Sequence, residues 1–245
     1  MVDELLKVKV YVGKDDQKKD YYLNIDKNFL VVDKKKAGQV FLFDEIITSL
    51  IKSELDAQVA LIDYENKHYM DFEDSEKMFP PIAHNREDVV AMLDFIETTK
   101  KARLSLLRQC NVRNIGEYNE KEQNKMSFIF IFVDELSYLM KDKQIDKLLE
   151  LGKCWNCCGI YLIVATSDIS FDDNKVLCGQ VKANFVNRIC FAVDSKKESK
   201  LVIDEGGAEN LSGNEVIVSE VNGVIKNTKV ALNFDNKKFI NNVND

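Results

Sequence analysis

Residues 33–40 read Asp-Lys-Lys-Lys-Ala-Gly-Gln-Val, after an apolar run at 29–32 and before a helix-like run to Ile51. Strand, short loop and helix is the setting of a phosphate-binding loop, G-x-x-x-x-G-K-[ST]. In that loop bare backbone N–H groups cradle phosphates, the Lys reaches the β/γ-phosphates and the hydroxyl holds Mg²⁺. Gly38 keeps its place here, but Asp33 stands at the first Gly, Gln39 at the Lys and Val40 at the hydroxyl. An amide in place of a cation removes transition-state charge stabilisation. A valine cannot ligate Mg²⁺. Asp33 adds a negative charge beside an anion site. Lys34, Lys35 or Lys36 could reach back as a substitute cation, although loop lysines are ordinarily solvated. The frame of a nucleotide site is kept and its working groups are exchanged.

A second constellation lies at 128–135, Phe-Ile-Phe-Ile-Phe-Val-Asp-Glu. An apolar strand ending in such a pair can place Asp134 in an Mg²⁺ shell and Glu135 beside an attacking water. The bland alternative is a buried strand that ends in a solvated acidic turn. Two other apolar runs end in polar groups: 58–62 in Asp63, and 160–165 in Thr166 with Asp168 beyond. Asp63 either touches a nucleotide or caps the next turn.

The elements that must position these residues follow from periodicity. Residues 6–12 alternate with period two and read as a half-buried strand, followed by a turn at Gly13 to Asp16 and a returning strand at 21–23. Residues 41–52 read as a helix with Phe41, Ile46 or Ile47 and Leu50 inward. Residues 64–84 form a long polar and aromatic excursion. Asn85 caps a long helix to about Cys110, with Val89, Met92, Leu93 and Ile96 on its buried face. The run 128–133 is apolar throughout and predicts a strand covered on both sides. A helix at 144–157, strands at 160–165 and 188–193, and a closing hairpin around Asn222 and Gly223 complete the series. Strands alternating with helices predict a doubly wound, mostly parallel α/β sheet with helices on both faces and a C-terminal β-hairpin. Ligands of such sheets sit at the carboxyl ends of the strands.

Bulk properties narrow the class. The chain has 245 residues and a net charge of −7, enough for one large α/β domain. The acidic balance argues against a surface devoted to gripping nucleic acid. No apolar run has the length of a membrane span and the first residues do not form a signal peptide, so the expectation is a cytoplasmic protein without direct membrane contact. The 6 cysteines lack a regular framework, which fits reduced, buried thiols. Cys154 and Cys157 form a C-x-x-C without the further ligands zinc needs. His68 and His84 have no partner motif.

Six blocks together resemble the FtsK/SpoIIIE family of DNA-translocase motors, in order and approximate spacing. Residues 12–15, V-G-K-D, resemble the family's L-G-K-D. Residues 111–120, N-V-R-N-I-G-E-Y-N-E, resemble G-V-R-N-L-x-x-Y-N-E. Residues 133–140, V-D-E-L-S-Y-L-M, resemble V-D-E-F-A-D-L-M, and 159–166, G-I-Y-L-I-V-A-T, resemble G-I-H-L-I-L-A-T. Residues 182–189, K-A-N-F-V-N-R-I, resemble K-A-N-I-P-T-R-I, and 206–213, G-G-A-E-N-L-S-G, resemble G-G-A-E-K-L-L-G.

The resemblance implies a RecA-like P-loop NTPase fold: entry strands within 1–28, a motor core at 29–232 and a tail at 233–245. It implies ATP with Mg²⁺ at subunit interfaces of a hexameric ring and double-stranded DNA through its centre. By position, Asp134 and Glu135 become the Walker B pair, with Asp134 on the metal through water. Lys36, Gly38, Gln39 and Val40 become the altered Walker A site and Thr166 a γ-phosphate sensor. Arg188 matches a family Arg near the subunit boundary, where a trans-acting finger is one role. The family's Gln and Arg after the sensor are replaced by Ser167 and Asp168. Three functions follow as expectations. The favoured one is a degenerate motor domain acting as a binding, assembly or regulatory module, pairing with itself or with active motor subunits in DNA transfer or protein export. The others are an active DNA-dependent ATPase with unusual phosphate contacts, and a nucleotide-binding switch without turnover or a substrate-docking domain of a type VII secretion-like ATPase.

Overall fold

The chain alternates strands and helices as its periodicity predicts. A computed structural model describes residues 9–65, 68–141, 144–153, 155–169, 179–221 and 225–233. In chain order the strands are β1 (Lys9–Asp15), β2 (Asp20–Asn24), β3 (Phe29–Val32), β4 (Ala57–Ile62), β5 (Phe128–Val133), β6 (Ile160–Thr166), β7 (Asn187–Cys190), β8 (Glu215–Val221) and β9 (Ile225–Leu232). The helices are α1 (Ala37–Lys52), α2 (Arg86–Gln109), α3 (Ile115–Lys121), α4 (Leu136–Lys141), α5 (Ile145–Gly152), α6 (Trp155–Cys158), α7 (Gly179–Asn184) and α8 (Lys196–Ile203).

All nine strands join one sheet in the order β2-β1-β9-β8-β7-β3-β6-β5-β4. From β7 to β4 every pairing is parallel. From β7 outward to β2 every pairing is antiparallel. A doubly wound parallel core is thus extended by an antiparallel wing. The N-terminal hairpin docks on the C-terminal hairpin to form that wing. Along β5 alternate residues face opposite sides. Ile129, Ile131 and Val133 pack with α2, α4 and α5, while Phe128, Phe130 and Phe132 pack with α1. Burial on both faces explains why this strand reads as unbroken apolar sequence.

α1 begins four residues earlier than its apolar pattern suggests. Ile46, Ile47 and Leu50 are buried as expected, together with Leu42 and Phe43, whereas Phe41 is only half-buried. At its C-terminus the Lys77 ammonium donates to the carbonyls of Leu50, Ser53 and Leu55 at 2.9, 2.7 and 3.0 Å. It thereby satisfies groups the helix leaves open. The excursion after β4 returns along that edge strand through Val59↔Met78 and Ile62↔Ala83 bridges. Asn85 caps α2 by accepting from the Asp88 N–H at 3.0 Å.

Several boundaries differ from the sequence reading. The predicted helix at 144–157 is two helices, and α4 precedes them. Gly13 lies inside β1, where a Cβ would fall 2.0 Å from the Ala231 carbonyl oxygen; the turn follows Asp15. A helix that the periodicity did not announce, α3, capped by Asn114, follows α2. The strand expected at 188–193 is β7 and stops at Cys190. Leu6 to Val8, Asn222, Gly223, Cys154, Cys178 and the tail from 234 onward lie outside the described residues. Among the described residues no helix is long and apolar enough to cross a membrane.

Candidate functional site

The carboxyl ends of β3, β4, β5 and β6 bring Asp33, Asp63, Asp134, Glu135 and Thr166 together, all buried. This is where a doubly wound sheet places its ligands. The loop between β3 and α1 turns through Lys36, which sits at φ 61°. Its N–H groups converge on the side chain of Asp33. Oδ2 accepts from the N–H of Gly38 at 2.8 Å and of Gln39 at 3.0 Å, and Oδ1 accepts from the N–H of Lys35 at 3.0 Å. A carboxylate of the chain itself therefore lies in the cradle that a phosphate would use. Gly38 has its own reason to be Gly: a Cβ there would fall 2.1 Å from the Phe191 ring.

Gln39, at the position of the phosphate-binding Lys, is fully buried and turned toward β5. Its Nε2 donates to the Asp134 carbonyl oxygen at 2.8 Å and to Asp134 Oδ1 at 3.2 Å. Its Oε1 is buried without a hydrogen-bond partner. Tyr69, from the excursion, donates its hydroxyl to the same Asp134 Oδ1 at 2.8 Å. Burial raises the Asp134 carboxyl above its usual range; the Tyr69 bond opposes this and nearby Asp63 adds to it. Val40 offers no oxygen.

Glu135 is saturated. Oε1 accepts from the Thr166 hydroxyl at 2.8 Å and the Ser137 N–H at 3.1 Å. Oε2 accepts from the Ser167 N–H at 2.9 Å and its hydroxyl at 2.6 Å. Burial pushes this carboxyl up, but the bonds from Ser167, Thr166 and Ser137 outweigh it and hold Glu135 below the usual range. Four donors fill the lone pairs that would otherwise orient a water.

The loop lysines divide. Lys34 is tied to Asp194 and Glu198. Lys35 is exposed. Lys36 alone turns into the site, with Nζ 2.6 Å from Glu65 Oε1 and 3.6 Å from Glu135 Oε2. Burial lowers its pKa, but the Glu65 bond and the charges of Glu135 and Glu65 raise it further, so its pKa lies above the usual value. Tyr138 also donates to Glu65 Oε1, at 3.2 Å.

Arg188 lies apart from this cluster and faces into its own subunit. It donates to the carbonyls of Phe185, Val202 and Lys182 and to Asp204 Oδ2 at 2.6 Å. In this conformation the guanidinium is spent within the chain. Asp63 acts as a turn cap, accepting from the Glu65 N–H at 3.2 Å, and His84 Nδ1 bonds the Asp63 carbonyl at 2.9 Å. Sequence reasoning missed Tyr69, Glu65 and Ser137, which lie outside the motif blocks or carry no chemical signal of their own. Ser167, directly after Thr166, stands in the sequence only as a departure from the family's glutamine.

These residues do not fit ATP and Mg²⁺ as they stand. The loop cradle holds the Asp33 carboxylate, Asp134 holds Gln39 and Tyr69, and the side chain at 40 offers no oxygen. Among the described residues no group of three or more His, Cys, Asp or Glu side chains is placed to hold a metal ion.

No protein-family model matches the chain. The DNA translocase FtsK of Chlorobaculum tepidum is 32% identical over 201 residues, covering 76% of this chain and 25% of that protein. The DNA translocase FtsK of Chlamydia pneumoniae is 30% identical over 211 residues, 78% of this chain and 26% of that protein. The chain spans about a quarter of the length of these curated relatives. Among solved structures, the pCW3 conjugation coupling protein TcpA, a monomer form with ATPγS, superposes with a TM-score of 0.76 at 20% identity, covering 94% of this chain and 68% of that one. The cytoplasmic domain of the Thermomonospora curvata type VII secretion ATPase EccC gives 0.75 at 18% identity, covering 95% and 30%. These two likenesses establish the RecA-like P-loop fold.

Proposed function

Starting from a chain that belongs by sequence to the FtsK/SpoIIIE translocases and has their P-loop fold, we propose that it is a motor-type domain without efficient ATP hydrolysis. It serves as a binding, assembly or regulatory module of a DNA-translocating or protein-exporting machine, beside itself or beside active motor subunits. The observation that carries this reading is the Asp33 carboxylate in the phosphate cradle, bonded to three backbone N–H groups. A phosphate entering there meets a like charge already holding the donors it needs. The engaged side chains of Asp134 and Glu135 support the same reading.

A second reading, a nucleotide-binding switch or an ATPase with unusual contacts, rests on Lys36. Its ammonium lies between Glu65 and Glu135, near the place where a substitute cation would act.

Calorimetry with ATP and Mg²⁺ on the wild type and on Asp134→Ala separates them. The proposal expects no heat of binding and no thermal shift at millimolar ATP. Micromolar binding that Asp134→Ala abolishes sinks it in favour of the second reading. Phosphate release with and without double-stranded DNA then tells switch from motor.

A further inference from the structure

We propose that the excursion between β4 and α2 is an autoinhibitory strap. Its outbound limb, fastened by Glu65 to Lys36 and by Tyr69 to Asp134, holds the nucleotide site shut and releases as a unit from a return limb that stays on the sheet. The inference rests on the reading of a site already filled by Asp33, and adds a second closure supplied by another part of the chain.

The two limbs are held differently. The return limb lies along β4. The Val59 N–H donates to the Lys77 carbonyl at 2.7 Å, the Phe79 N–H to that of Val59 at 2.9 Å, the Ala83 N–H to that of Leu61 at 2.9 Å and the Asp63 N–H to that of Ala83 at 3.0 Å. Lys77 also anchors the start of this limb on the end of α1. Bonds to a core sheet open with the sheet, whereas surface turns open locally. The outbound limb, Tyr64, Glu65 and residues 68–76, turns on itself: the N–H groups of Phe72, Glu73 and Ser75 donate to the carbonyls of Tyr69, Met70 and Phe72 at 3.0, 3.2 and 3.0 Å. It reaches the body of the protein through side chains. Tyr69 is fully buried, lies 6.3 Å from the Phe43 ring and donates to Asp134 Oδ1 at 2.8 Å. Glu65 Oε1 accepts from both the Lys36 ammonium and the Tyr138 hydroxyl, and the Tyr64 ring meets that of Tyr138 at 5.1 Å. A His84–Glu73 contact at 3.4 Å links the limbs to each other.

These fastenings fall on the groups that a ligand would need. Asp134 stands at the position of the metal ligand, and Lys36 is the loop lysine turned into the site. One residue of the strap holds each. The Lys36 ammonium lies 2.6 Å from Glu65 and 3.6 Å from Glu135, so its charge is neutralised before any phosphate arrives. The Glu65 pair also holds Lys36 in a left-handed backbone, φ 61°, which residues with a Cβ avoid. Release of Glu65 therefore frees both a cation and a strained loop. The two side chains are 27% and 23% exposed, so water and salt reach the pair and weaken it. The Tyr69 bond is buried and is the firmer of the two.

Hydrogen exchange on the full chain, read amide by amide, tests the strap. The variant combines Glu65→Gln with Tyr69→Phe, which keep the shapes and remove the two fastenings. Its Phe72, Glu73 and Ser75 N–H groups should exchange about tenfold faster than in the wild type, as the loss of two hydrogen bonds predicts. Those of Phe79 and Ala83 should be unchanged, which also shows that the variant is folded. Unchanged exchange in the outbound limb overturns the proposal, and so does acceleration of both limbs together. Calorimetry with inorganic phosphate tests the closure. On an Asp33→Ala background, Glu65→Gln should tighten phosphate binding about tenfold by freeing the Lys36 ammonium. Equal affinity with and without Glu65 overturns the strap as a closure and leaves the reading of Asp33 standing. Phosphate that binds neither protein overturns both.

Discussion

Gln39 Nε2 is hydrogen-bonded to both the carbonyl and the carboxylate of Asp134, at 2.8 and 3.2 Å. The residue at the position of the phosphate-binding cation is thereby stapled to the residue at the position of the metal ligand. The two motifs that would open around a nucleotide close on each other instead. Removing the amide with Gln39→Ala leaves a buried cavity and a carboxylate held by Tyr69 alone. The loss should be about 2–3 kcal/mol, from the lost buried bonds and packing. Urea unfolding measures it, and a change within error would mean that the staple contributes nothing.

Asp33→Ala tests the occupied cradle. Three N–H groups lose their acceptor, at a cost of about 1–2 kcal/mol, as when a helix cap is removed. Millimolar phosphate should then raise the melting temperature of the variant but not of the wild type, since an anion that binds only the folded cradle stabilises it. Equal responses from the two proteins would show that Asp33 does not obstruct the anion position.

Asp134→Asn keeps an acceptor for Gln39 and Tyr69 while removing a buried charge close to Asp63. Because the folded carboxyl is raised, the native state binds more protons than the unfolded state between the ordinary aspartate value and the raised one. Stability contributed by this group is therefore present at low pH and falls as pH rises through that window. The variant should match the wild type at acid pH and exceed it at neutral pH by about 1 kcal/mol. Melting curves across pH decide, and a variant less stable at neutral pH contradicts the account.

Glu135→Gln has the opposite sign. Its folded carboxyl is depressed, so its contribution is present above the unfolded value and is lost as pH falls through the folded one. A neutral amide offers one acceptor oxygen to four donors and brings two donors of its own. We expect a loss of about 2–3 kcal/mol at neutral pH that narrows in acid. Denaturant unfolding at the two pH values reads both.

Much of this was legible in the sequence, and the rest fails for physical reasons. The core strands announced themselves because burial on both faces forces unbroken apolar runs such as 128–133. The loop at 33–40 could be recognised by its frame, and the exchanges at 33, 39 and 40 told what was absent. They did not tell what had moved in. Whether Asp33 points outward to repel a phosphate or inward to replace it depends on side-chain direction, which composition does not carry. Tyr69 reaches Asp134 across 65 residues, and such a partner leaves no local pattern. Phe41 was placed inward because the helix was started at the first large apolar residue. The helix begins at Ala37, where the Asp33 carboxylate accepts from the N–H groups of its first turn, and its buried stripe runs through Leu42, Phe43, Ile46, Ile47 and Leu50. Arg188 could be matched to a position, but not to the four acceptors that turn it inward.

The pairing of β1 with β9 joins Gly13 to Leu232, nearly the whole length of the described chain. During synthesis the first hairpin therefore emerges long before the strand that receives it. The parallel core can assemble while β1 and β2 wait, and the wing closes only after residues 225–232 have left the ribosome. Pairings of such long range are slow to form because loop closure precedes any contact energy. A stalled or shortened chain that lacks β9 leaves the edges of both β1 and β8 unpaired, and those edges are where a nascent copy of this protein is open to misassembly.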